Sequence, residues 1–163
     1  MVDKNQAIIE YLIECPSIKN SPLYFNFINA KGNNKQILTA GNEKSINRRY
    51  IDGSIMKRYT FTIIDFKSIA YKAIVKQPGY PDENVEDMLD VQGIIDWISE
   101  QNEERNFPNF GEECVIEEIS STTDNPSLNG IDSNVTPALA KYSIAIQVDY
   151  LDISKKLWRK GNN

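Results

Sequence analysis

Leu139-Ala-Lys-Tyr-Ser-Ile-Ala-Ile-Gln-Val-Asp-Tyr-Leu151 is the stretch on which the fold turns. Tyr142, Ile144, Ile146, Val148 and Tyr150 fall on one side of a period-two pattern, and Lys141, Ser143, Gln147 and Asp149 fall on the other, with Ala145 neutral. That alternation predicts a half-buried antiparallel strand. Arg58-Tyr-Thr-Phe-Thr-Ile-Ile-Asp-Phe66 has the same character, Tyr59, Phe61 and Ile63 pointing one way and Thr60 and Thr62 the other. The two runs are expected to form the spine of one sheet.

Working outward, the element of opposite periodicity is a helix from Asn84 to Arg105, whose stripe is Met88, Val91, Ile94, Ile95 and Ile98. Glu86, Asp96, Glu100, Glu103 and Glu104 occupy its opposite sector, and the last two oppose the helix dipole. A first helix is expected after Asp3, with Gln6 completing a capping box and Ile8, Ile9, Leu12 and Ile13 as its stripe, stopped by Pro16. A short strand from Leu23 to Ile28, a turn at Lys31-Gly-Asn-Asn34 and a weak strand from Gln36 to Thr39 suggest a hairpin. Ala40 to Met56 has no period and is expected to be a long polar loop, as is Ser121 to Pro137. Lys67 to Val75 fits either strand or helix. A strand is expected at Glu113 to Ser120, with Cys114, Ile116 and Glu118 alternating against Val115, Glu117 and Ile119. The fold class is therefore α+β, a mostly antiparallel sheet packed against a long helix and an N-terminal helix. Residues 1–151 form a single domain, and 152–163 form a basic C-terminal tail.

At 163 residues such a domain buries roughly two-thirds of its unfolded surface and needs no disulfide or metal. The two cysteines, Cys15 and Cys114, are far apart and lack Cys-x-x-Cys spacing, which fits a reducing cytoplasm. No long apolar run is present, so no membrane contact is expected. The chain has no histidine, which removes the commonest general base, the Ser-His and Cys-His pairs, and every His-containing zinc site. Gly41-Asn-Glu-Lys44-Ser45 lacks the glycine before lysine that a phosphate loop needs, and no acidic spacing matches a calcium loop. Asn134-Val-Thr136 fits a glycosylation acceptor but has no secretion signal beside it. Enzymatic activity, a metal and a cofactor are accordingly not expected.

The net charge of −5 conceals an asymmetry. From Lys31 to Arg58 the chain carries Lys31, Lys35, Lys44, Arg48, Arg49, Lys57 and Arg58 against Glu43 and Asp52 alone. From Asp82 to Glu118 it is acidic throughout, with Arg105 as the single opposing charge. The basic part is too short, and the total too acidic, for sequence-specific DNA binding. If the two lobes lie on opposite flanks, copies can join head to tail and close into a ring. Lys44, Arg48, Arg49 and Tyr50, with Leu157 and Trp158 of the tail, are the candidate contacts on the basic side. Glu86, Asp96, Glu100, Glu103 and Glu104 are the candidate acidic channel or interface face; lining a ring, they would repel DNA passing through.

Arg58 to Phe66, Met88-Leu-Asp-Val-Gln-Gly-Ile-Ile-Asp-Trp-Ile98 and Ala138 to Tyr150 resemble small proteins encoded among phage structural genes in Gram-positive bacteria. In element order the chain is similar to the tail terminator proteins of long-tailed phages, also called tail-completion or minor capsid proteins. The resemblance covers most of residues 58–151 and implies a structural virion protein without catalytic residues. A homohexameric ring would cap the tail tube, end its polymerisation and dock to the head-tail connector, with the sheath as a further contact. DNA would pass through without specific binding. The same resemblance places the protein in the virion, at the head-proximal end of the tail, after assembly in the host cytoplasm; a bacteriocin-like particle uses similar parts. A head-tail connector adaptor of different fold and a small host-directed effector or enzyme stay open as alternatives.

Overall fold

A computed structural model of the chain describes residues 2–19, 21–25, 35–68, 83–123, 127–132 and 139–156, with backbone alone at 35–42, 47, 68, 83–87, 127, 129 and 132. Its elements are α1 (Lys4–Leu12), α2 (Pro16–Lys19), β1 (Leu23–Phe25), β2 (Lys35–Arg49), β3 (Ile55–Ser68), α3 (Glu83–Glu104), β4 (Cys114–Ser121), β5 (Ser127–Asp132) and β6 (Leu139–Asp152). The chain is α+β, and its sheet is mostly antiparallel.

β6 and β3 are the spine, antiparallel over their whole length and in register from Ile55↔Asp152 to Ser68↔Leu139. Tyr59↔Val148, Phe61↔Ile146 and Ile63↔Ile144 place six buried side chains on one face. Each branched or aromatic side chain removed from water there contributes roughly 1.5–3 kcal/mol. Beyond β3 lie β2 and then β1; beyond β6 lie β4 and, beside its first residues, β5.

The helices cover the apolar face. Val91, Ile94, Ile95 and Ile98 of α3 are buried in the same core, as expected, but Met88 is 48 % exposed, so the buried stripe begins one turn later. In α1, Asp3 does cap, accepting from the Asn5 amide at 2.9 Å. Gln6 does not complete a capping box; its side-chain amide bonds Glu10 at 2.9 Å instead. The buried side of α1 is Ala7, Ile8, Tyr11 and Leu12, and Ile13 is half-exposed. The helix is rolled towards Tyr11 because that ring packs on Trp97 of α3, centroids 5.0 Å apart. α1 ends at Leu12 with Ile13 as its cap, and Pro16 opens α2 at the first helical position, where its missing amide costs least.

Much of what is described of the two expected loops is strand. Residues 40–49 belong to β2, and the chain reverses only at 50–54, where the Tyr50 amide donates to the Ser54 carbonyl at 2.9 Å and Gly53 takes φ +87°. β2 lacks alternation because its register shifts twice, between Leu38 and Asn42 and between Ser45 and Arg49. β5 runs through the second expected loop, pairing with β6 across an irregularity at Leu128/Gly130. The expected hairpin between β1 and β2 is a parallel pair, Leu23↔Lys35 to Phe25↔Ile37, since the antiparallel partner of β2 is β3. Residues 26–28 and the turn at 31–34 lie outside the described residues, as do 69–75 of the ambiguous stretch; β3 itself continues to Ser68. In β4 a bulge between Ile116 and Glu118 breaks the expected alternation, so that Ile116 and Ile119 both face the core.

Candidate assembly interface

The strand order sets the basic strand and the acidic strand apart. β2 and β4 lie on opposite flanks of the sheet, with β3 and β6 between them. On the β2 flank Lys44, Arg48, Arg49 and Tyr50 are all exposed, brought together on one strand and the turn that ends it. β1 covers β2 only as far as Ile37, and beyond it no other strand borders that edge among the described residues. The turn is firmly built. Asp52 accepts from the amide and hydroxyl of Ser54 and pairs with Lys156 at 3.3 Å, which holds its carboxyl below the ordinary aspartate range, the Ser54 hydroxyl contributing most. At its apex Ile51 is fully exposed, at 101 %.

The opposite flank is acidic. Asp96, Glu100, Glu103 and Glu104 of α3 are exposed, as are Glu117 and Glu118 of β4; the side chain of Glu86 is outside those described. The two elements are tied together where Asn102 accepts the Ile119 amide at 3.0 Å, which sets the last turn of α3 beside β4. No basic residue lies in that turn. Arg105, just past the helix end at φ +57°, places its guanidinium 5.5 Å from the Phe107 ring centroid. Carboxylates and the negative end of the helix dipole therefore coincide.

On the helix-free face an open hollow of about 400 Å³ is lined by Ile46, Arg48, Met56, Arg58, Glu117, Glu118 and Asp149. Its centre is an ion pair, the Arg58 fork gripping Asp149 at 2.6 and 2.7 Å, and this bond raises the arginine's pKa despite partial burial. The polar side of β6 is thus partly spoken for by its own sheet.

A second network fastens β2, β3, β6 and α1. Lys57 contacts Glu43 at 2.9 Å and Asp152 at 2.8 Å, and Lys4 reaches Glu43 at 3.2 Å while lying over the Tyr150 ring at 5.4 Å. Burial, the largest single influence, would raise both acids, but their hydrogen bonds and neighbouring cations together outweigh it, Lys57 first among them. Asp152, also bonded by Ser154, is held at about 2, and Glu43 is lowered as well. Burial, and then the Glu43 carboxylate, push the Tyr150 hydroxyl above its ordinary value, and burial likewise raises the Cys114 thiol. The network is a clasp across four elements. Among the described residues no group of His, Cys, Asp or Glu is arranged to hold a metal ion.

By strand order the basic candidates belong to β2 and the turn after it and the acidic ones to α3, but Arg48 meets Glu117 and Glu118 at the hollow, and Leu157, Trp158 and the side chain of Glu86 lie outside those described. Ile51, Asn102, Glu117 and Glu118 were not singled out from sequence. The two glutamates could have been, since they close the acidic stretch, whereas nothing in the sequence marks Asn102 as the link between α3 and β4. No helix among the described residues is long and apolar enough to cross a membrane. No family model matches the chain, and no curated protein matches it either.

Proposed function

We propose that the chain is a structural protein of a phage tail or phage-tail-like particle, a tail terminator whose copies form a homohexameric ring at the head-proximal end. The ring ends tail-tube polymerisation and offers the connector a docking surface, and DNA passes through it without specific contacts. The observation that supports self-assembly is the exposure of Lys44 and Arg49 on the β2 flank and of Glu103 and Glu104 at the end of α3, beside β4 on the other flank. Flanks of unlike sign attract when copies stand head to tail, and a head-to-tail contact closes into a ring when its rotation permits. The specific role rests on two resemblances, of residues 58–66, 88–98 and 138–150 to small proteins encoded among phage structural genes, and of the element order to tail terminator proteins. Its test is to mix purified protein with tail tubes and with empty heads and to image both by negative stain. Rings on tube ends support the reading; binding to heads alone favours the connector adaptor, and binding to neither overturns both.

A further inference from the structure

We infer that the tip of the β2–β3 hairpin, Tyr50 and Ile51, docks into the hollow on the helix-free face of the next copy. This deepens the ring reading and rests on it, since it names the contact between copies. Two irregularities of the sheet converge on the hollow. The register shift of β2 between Ser45 and Arg49 brackets Ile46 and Arg48, and the bulge of β4 between Ile116 and Glu118 brings the consecutive Glu117 and Glu118 to its lining together. Bulges re-aim side chains where a site needs them. Ile46 and Met56, both half-buried, supply the apolar part of the lining, beside the Arg58–Asp149 pair. Arg48 on one wall and Glu117 and Glu118 on the other enter no ion pair among the described residues. The walls, β2 and β4, stand three strand spacings apart, roughly 14 Å, which leaves room between them for the end of a two-stranded hairpin.

The hairpin tip carries the complement. Ile51 is fully exposed and Tyr50 is exposed beside it, on a turn fixed by the Tyr50–Ser54 backbone bond and by Asp52 with Ser54 and Lys156. An apolar pair held in solvent by a built turn loses little ordering entropy on docking. The exposure of Ile51 means that the tip does not fill the hollow of its own copy, whose β2 and β3 sides are the stem of the same hairpin. Arg49, exposed and without an ion pair among the described residues, precedes the tip, and Asp52, still partly exposed beside Lys156, follows it. The tip therefore reads cation, two apolar side chains, carboxylate. The hollow reads carboxylates on β4, apolar side chains, guanidinium on β2. Seated with Arg49 towards β4 and Asp52 towards β2, the tip meets each charge with its opposite, while Ile51 displaces water from Ile46 and Met56. Two unlike surfaces make this contact, so it passes from copy to copy and closes where the rotation permits.

The test replaces Ile51 with the photocrosslinking residue p-benzoylphenylalanine and maps the adducts by mass spectrometry in a mixture of isotope-labelled and unlabelled chains. Adducts at Ile46 or Met56 that join a labelled to an unlabelled chain are expected. By mass photometry I51D and R49E should each associate roughly tenfold or more weakly than the unmodified protein. R49E/E117K/E118K, which exchanges the charges, should regain the oligomer, and circular dichroism should find every variant folded, because each changed side chain is exposed. If the unmodified protein assembles and the adducts fall elsewhere, or I51D assembles equally well, the docking is overturned while the ring reading stands. If removing residues 157–163, and not I51D, is what opens Met56 to oxidation, the hollow holds the chain's own tail and the docking is equally overturned. If the unmodified protein forms no species larger than two chains, alone or with tail tubes, the ring reading falls and takes the docking with it.

Discussion

Replacing Asp152 with asparagine probes the clasp that joins the flanks. The carboxylate bonds Lys57 at 2.8 Å and accepts from the Ser154 amide at 3.0 Å and hydroxyl at 2.6 Å. Its pKa of about 2 in the folded chain, against an ordinary 3.8, corresponds to ~2.5 kcal/mol of linked stability. The Lys57 and Asp152 side chains are 26 % and 17 % exposed, so solvent screening reduces this to ~1 kcal/mol. Because the folded pKa is the depressed one, the contribution is complete above the unfolded value and drains away as pH falls towards 2. Urea unfolding monitored by circular dichroism should therefore show D152N ~1 kcal/mol less stable at pH 7, with the deficit shrinking steadily as pH is lowered below about 4. A deficit of equal size at pH 7 and near pH 2.5, or none at pH 7, would refute the linkage of Asp152 to Lys57.

Two further changes test the packing of the helices. N102A removes the acceptor for the Ile119 amide and should cost about 1–3 kcal/mol in urea unfolding, with faster hydrogen exchange at Ile119 before any other amide of β4; unchanged exchange would separate α3 from the β4 edge. Y11F should leave stability unchanged or raise it by up to ~1 kcal/mol, since the Tyr11 hydroxyl is buried without a hydrogen-bond partner among the described residues and the ring contact with Trp97 survives. A loss in thermal melts would show that the hydroxyl is satisfied.

The sequence exposed the elements that bury one face and concealed those that do not. β3, β6 and α3 carry long apolar patterns because each faces the core along most of its length, so period alone finds them. β2 borders the sheet's flank and changes register twice, so its strand conformation shows in its pairing with β3 and not in a period of its own sequence. The same reasoning covers β5, which lies beside β6 and keeps Leu128 and Ile131 exposed. A one-residue bulge in β4 was enough to bring Ile119 to the same face as Ile116, although strict alternation sets them on opposite sides. For the candidate interface, charge runs in the sequence picked out Lys44, Arg48, Arg49 and the acids of α3. Their separation onto two flanks required the strand order, which no local pattern encodes.

The most direct measurement is the mass of the particle that the purified chain forms, alone and on the ends of tail tubes, by mass photometry across salt concentrations. The account predicts a discrete species at six times the 18.6 kDa of the single chain, dissociating as salt rises and screens the flanks. A species that stays at the mass of one chain at low salt and high concentration, with and without tubes, would contradict it.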